Sequence, residues 1–110
     1  MNVSFFEAEA KKSPVEKFIK SQNPKVADKI ARVIDLLEEF GPKLYLHGSY
    51  TEKITDKIHA LTVRGSIQIR VFYCFYRNSA VLLHAFTKKT NKIPPKEIKI
   101  AQTRFDSLTT

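Results

Sequence analysis

An arginine inside an apolar run is the first residue that asks for a chemical explanation. Arg70 lies within Ile67–Tyr76, surrounded by aliphatic and aromatic residues. A guanidinium is costly to bury unless it is paired or faces a wet concavity. It serves here either in an ion pair with a helix carboxylate such as Glu38, or as a clamp whose planar fork engages two phosphate oxygens. A second concentration of chemistry follows the apolar run Ala80–Phe86, where His84 is succeeded by Lys88, Lys89 and Lys92. A strand that carries histidine and lysines to its exposed end sets charge beside a rigid core, which suits an anionic ligand. The same lysines also read as a solvated turn. His84 alternates with Leu82 and Phe86, with Lys88 continuing the series. That leaves it two readings, a satisfied structural ring or a partly exposed acid–base group. Phe86 and Tyr76 can stack a base where exposed, and otherwise belong to the core.

Other chemistries lack their residues. Three glycines cannot make a glycine-rich phosphate loop, and no metal-ligand spacing joins His47, His59 and His84. No paired carboxylates occupy strand ends, and no cofactor or metal is expected. What remains is cationic, and it suits metal-free cleavage of RNA. There the ribose 2′-OH attacks the adjacent phosphate, a base takes its proton, cations stabilise the developing charge, and an acid protonates the leaving oxygen. Nineteen lysines and arginines against eleven acidic residues give a formal +8. That excess favours nucleic acid over an anionic membrane surface or an acidic protein.

The elements that must position these residues are readable in outline. At 110 residues, 43% hydrophobic and 27% charged, the chain is expected to fold as one domain spanning 1–110. Val3–Phe6 reads as a short strand. Ser13-Pro14-Val15-Glu16 makes a capping box with proline at the first helical position. Asn23-Pro24 starts a second helix, in which Val26, Ile30, Val33, Ile34, Leu37 and Phe40 recur at three- and four-residue steps until Gly41-Pro42. Tyr45–Ser49 reads as loop and Tyr50–Ile54 as a weak strand ending near Lys53. Ile58–Arg64, Ile67–Tyr76 and Ala80–Phe86 then form an antiparallel meander, with Arg77-Asn78-Ser79 as a hairpin loop. Ile98, Ala101, Phe105 and Leu108 mark a last helix. The predicted class is α+β, an antiparallel sheet of about four strands with an N-terminal helical hairpin and a C-terminal helix. The single cysteine, Cys74, forms no intrachain disulfide and fits a reducing compartment. Without a signal-like start or a run near the roughly 18–20 apolar residues of a membrane span, a cytoplasmic protein is expected.

Three segments carry a family resemblance: Val33–Pro42, Ile69–Tyr73 and Leu82–Lys92, followed by Pro95, Glu97, Ile98 and Ala101. Together they resemble the phage-derived, HigB-like toxins of the RelE superfamily over roughly Val15 to Leu108, and the HxFxKKTxKxP-like stretch is the most specific part. The resemblance implies a small RelE-like fold and an endoribonuclease that cuts messenger RNA on the ribosome. It also implies a cognate antitoxin, often of helix-turn-helix type, through whose complex the toxin can oligomerise. By the same resemblance Arg70 binds the scissile phosphate, and Lys88 and Lys89 assist the phosphate chemistry. Lys53 contacts RNA by the same resemblance, while the charge of Arg64 and Lys92 and the ring of Phe86, where exposed, make these further RNA-binding candidates on their own chemistry. His84 holds a typical family position, with its role open between acid–base and structural. The sequence departs from the family where a glutamate and an arginine usually stand, at Ala60 and Thr62. Arg64, two residues further on, is placed to compensate. That departure supplies the rival expectation, a module that keeps RNA or antitoxin binding without catalysis.

Overall fold

Two proline-led helix starts build the N-terminal hairpin. In the computed structural model, which describes Met1 to Thr110, α1 spans Pro14–Lys20 and α2 spans Pro24–Phe40. The Ser13 hydroxyl accepts from the Glu16 backbone N–H at 3.2 Å, and the Asn23 side chain accepts from that of Val26 at 2.9 Å. Each cap satisfies a donor that the first helical turn leaves without a partner. Gly41 ends α2 in a positive-φ conformation (φ 53°), with its N–H bonded to the Leu37 carbonyl. The chain then tightens into a 3-10 helix over Gly41–His47, which takes the first three residues of the expected Tyr45–Ser49 loop and leaves Gly48 and Ser49 irregular.

The sheet has five strands in the order β1-β5-β4-β3-β2, with β1 at Asn2–Phe5, β2 at Thr51–Lys53, β3 at His59–Val63, β4 at Gln68–Tyr76 and β5 at Ser79–Lys88. Strands β2 to β5 are antiparallel, as the meander predicts. The fifth member, β1, lies parallel to β5 at the edge and makes the sheet mixed. Arg77 and Asn78 turn β4 into β5 with positive φ angles of 49° and 62°. A two-residue hairpin of that handedness matches the twist of the flanking strands.

Each face of the sheet carries its own core. Val15 of α1 and Ile30, Val33 and Leu37 of α2 pack on Leu61, Val63, Ile69, Val71, Tyr73 and Leu82. Fully burying a side chain such as Ile30 or Leu37 contributes about 2 kcal/mol, so the hairpin is held mainly by this stripe. On the opposite face, Ile58, Ala60, Phe72, Cys74, Val81, Leu83 and Phe86 meet Ala101 of α3, which spans Pro95–Thr109. No helix is long and apolar enough to cross a membrane.

The alternation expected along β5 is interrupted. The register passes from Phe72↔His84 to Tyr73↔Leu82, so Leu83 is an extra residue and a bulge. Leu82 therefore lies in the hairpin-side core, while His84 and Phe86 share the α3 side with Arg70. The shared parity of Leu82 and His84 does not hold, because one inserted residue inverts the phase of a period-two pattern.

Candidate functional site

Arg70 stands on β4 between Thr62 of β3 and Phe86 of β5, on the face that α3 only partly covers. Its side chain is nine-tenths buried, yet few of its donors are satisfied. Nη1 donates to the Ile69 carbonyl at 3.2 Å, and Nε is sealed from solvent with no hydrogen-bond partner. The nearest carboxylate belongs to Glu52 of β2, not Glu38, and its Oε1 lies 3.9 Å from Nε. That separation permits ionic attraction but is too long for a hydrogen bond. Burial pushes the Arg70 pKa down, Glu52 pushes it back up, and Arg64 lowers it further. The result is a guanidinium still charged and short of acceptors.

The remaining candidates fall into three groups. Lys88 ends β5 opposite Gln68, on the Arg70 face two residues beyond Phe86. Lys89 and Lys92 follow in the exposed loop that leads to α3. Arg64 lies just past β3, where its Nη1 donates to the Ser49 carbonyl at 2.6 Å. Its charge is felt at Arg70, so Arg64 and Arg70 form one electropositive region. Arg64 also lines a cavity of about 760 Å³ with Lys29, Arg32, Leu36, Tyr50 and Thr62, beside the middle of α2. Thr62, the strand partner of Arg70, also lines this cleft, which is walled by α2 and Val63 on the hairpin side of the sheet, whereas the Arg70 side chain lies on the other face.

Lys53 is not brought to Arg70. It pairs across the sheet with His59 on the hairpin side, it lies within 3.8 Å of Asp56, and its charge helps burial hold His59 below its usual range. Alternation along β2 explains the placement, since Glu52 takes the Arg70 face and Lys53 the other. Phe86 is 6% exposed and packs its ring against Phe72 and His84, so no face is free to stack a base.

His84 is locked. Arg104 Nη1 donates to the Leu83 carbonyl at 2.8 Å and meets His84 Nδ1 at 3.2 Å, while His84 Nε2 lies 3.0 Å from Glu97 Oε1. Arginine only donates, so Nδ1 accepts and the neutral ring carries its proton on Nε2, which donates to Glu97. Burial lowers the His84 pKa against the opposing pull of Glu97, with Arg104 adding to the decrease. Both nitrogens are engaged in fastening α3 to β5. Of the two roles the sequence left open, the geometry supports the structural one.

Two groups of importance were missed. Glu97 and Arg104 stand on α3, and nothing in their spacing announces a histidine thirteen and twenty residues earlier. Glu52 meets Arg70 only because β2 pairs with β3 in the register Glu52↔Ala60. The Cys74 thiol is buried and pushed up to about 11, which removes it as a nucleophile. No cluster of three histidine, cysteine or acidic side chains offers a metal site.

A family model described as "Phage derived protein Gp49-like (DUF891)" matches residues 17–106. No curated protein matches the chain.

Proposed function

The chain belongs to the Gp49-like family of phage-derived proteins, a toxin-like family, and from that premise we propose that it is the toxin of a type II toxin–antitoxin system. In this reading it acts in the cytoplasm as an HigB-like endoribonuclease of the RelE superfamily, cutting messenger RNA on the ribosome without a metal. The observation that carries the reading is the Arg70 guanidinium, charged, nine-tenths buried and lacking an acceptor at Nε. The sealed Nε keeps its cost of about 1–3 kcal/mol, and the accessible tenth of this charged side chain is what a phosphate oxygen can engage with matching charge.

The scissile phosphate binds Arg70, Lys88 stabilises charge on the same face, and Lys89 and Lys92 hold the flanking backbone. The strand continues over Arg64 into the cleft of Lys29 and Arg32, where the net positive charge suits phosphates. A cognate antitoxin, expected to be a helix-turn-helix protein encoded beside the toxin, keeps this surface covered until release.

Induced expression of the wild type beside Arg70→Ala tests the reading, with growth recorded and RNA 5′ ends mapped. Arrest and new cuts within translated messages, both lost in a folded Arg70→Ala protein, are the expected result. Normal growth with unchanged ends, despite accumulated wild-type protein, overturns it. A second reading is favoured by Ala60 and Thr62, both buried where the resemblance expects a glutamate and an arginine. A binding module of this kind shows RNA affinity that falls with salt and produces no new ends.

A further inference from the structure

We infer that Glu52 is the general base of this site, the group that takes the proton from the attacking ribose 2′-OH. The inference rests on the endoribonuclease reading above and names a residue that reading leaves open. Glu52 is the one carboxylate within ion-pairing distance of Arg70, at 3.9 Å from Nε. It projects from β2 directly opposite Ala60, on the Arg70 face of the sheet. Ala60 is fully buried and ends at its Cβ, so no side chain on the neighbouring strand competes for the space beside Arg70.

The state of the carboxylate also fits the role. It is half exposed and makes no hydrogen bond, so it is free to accept one from substrate. The other side chains capable of accepting a proton nearby are excluded by their surroundings. His84 has both ring nitrogens engaged, the Cys74 thiol is raised to about 11, and Tyr73 bonds Thr51 on the opposite face.

The step balances as follows. The 2′-OH proton passes to a Glu52 carboxylate oxygen as the 2′-oxygen forms its bond to phosphorus. The bond from phosphorus to the 5′-oxygen breaks, and that oxygen leaves with a proton from the Lys88 ammonium. The products are a 2′,3′-cyclic phosphate and a 5′-hydroxyl. Glu52 then gives its proton to water and Lys88 recovers one from water, which restores both groups.

The deciding experiment compares wild type with Glu52→Gln and Glu52→Asp on a defined messenger, free and on a programmed ribosome. Cleavage rate is followed against pH, together with RNA affinity and melting temperature. Removing a general base is expected to slow cleavage by roughly 10²–10⁴-fold. In Glu52→Gln the acid-side fall of the pH–rate profile disappears, RNA affinity holds or rises because a negative charge has left the phosphate site, and melting is unchanged. Glu52→Asp keeps part of the rate and the acid-side fall. Cleavage by folded Glu52→Gln at the wild-type rate with the same acid-side fall overturns the inference while leaving the nuclease intact. A wild type that cuts neither RNA overturns the nuclease reading itself, and Glu52 falls with it.

Discussion

Two polar clusters interrupt the apolar face beneath α3, and they are finished to different degrees. At His84 each exchangeable site has a partner, with Glu97 on one nitrogen, Arg104 on the other, and the Leu83 carbonyl taking the same arginine. At Arg70, Nε has none and Glu52 stands too far to bond it. Both clusters set an arginine and a glutamate against one face of the sheet, from α3 at His84 and from the strands themselves at Arg70. The closed cluster satisfies desolvated groups and so holds elements together, whereas the open one leaves a charged group short of partners.

The widest separation between the clusters is expected from substitution at Arg70. Arg70→Met removes a buried unpaired donor, so melting is held or improved, while cleavage falls by roughly 10²–10³-fold or more with the loss of its phosphate contact. A protein that unfolds instead would make Arg70 as structural as His84. The mirror experiment is Glu97→Ala, which strands His84 Nε2 and is expected to cost about 1–3 kcal/mol of stability in urea or thermal melts. Cleavage per folded molecule should survive it, and loss of cleavage without loss of stability would move His84 into the active site.

A smaller effect comes from pH. Burial holds both His84 and His59 below the ordinary 6.5, so on acidification the unfolded chain takes up protons before the folded one does. Stability is full above about 6.5 and declines as pH falls from there toward the lowered folded values. Glu97→Gln, which removes the carboxylate that supports a protonated His84, steepens that decline in melts run across the range. The smallest effect belongs to Lys53→Ala. With its side chain on the hairpin side, across the sheet from the Arg70 face that its neighbour Glu52 takes, cleavage should stay within about threefold of wild type, the scale of an exposed charge. A larger loss would extend the RNA path around the β2 edge.

The residues differ in how far the sequence betrays them. The helix starts at Ser13 and Asn23, the stripe from Val26 to Phe40 and the turn at Arg77-Asn78 follow from local rules, and all were legible. Arg70 was legible for the opposite reason, since a charge within an apolar strand breaks the local pattern. What escaped depends on phase or register. The Leu83 bulge adds one residue without changing composition, and it moved Leu82 away from His84. The Glu52–Arg70 approach depends on how a three-residue strand aligns with β3, and the partners of His84 come from a helix that crosses the strand. Base stacking by Phe86 failed because its ring was needed to fill the space beside Phe72.

The pairing of β1 with β5 also governs when the sheet can be finished. Asn2 lies beside Ser79, so the first strand waits for a partner 77 residues away in the chain. Contacts of such sequence separation form slowly, because a long loop must close before they contribute. During synthesis from the N-terminus, the helical hairpin can assemble from local contacts, but β1 has no strand to pair with until β5 has emerged. The strand made first is thus among the last to dock, and the edge of β5 stays open to other chains until it does.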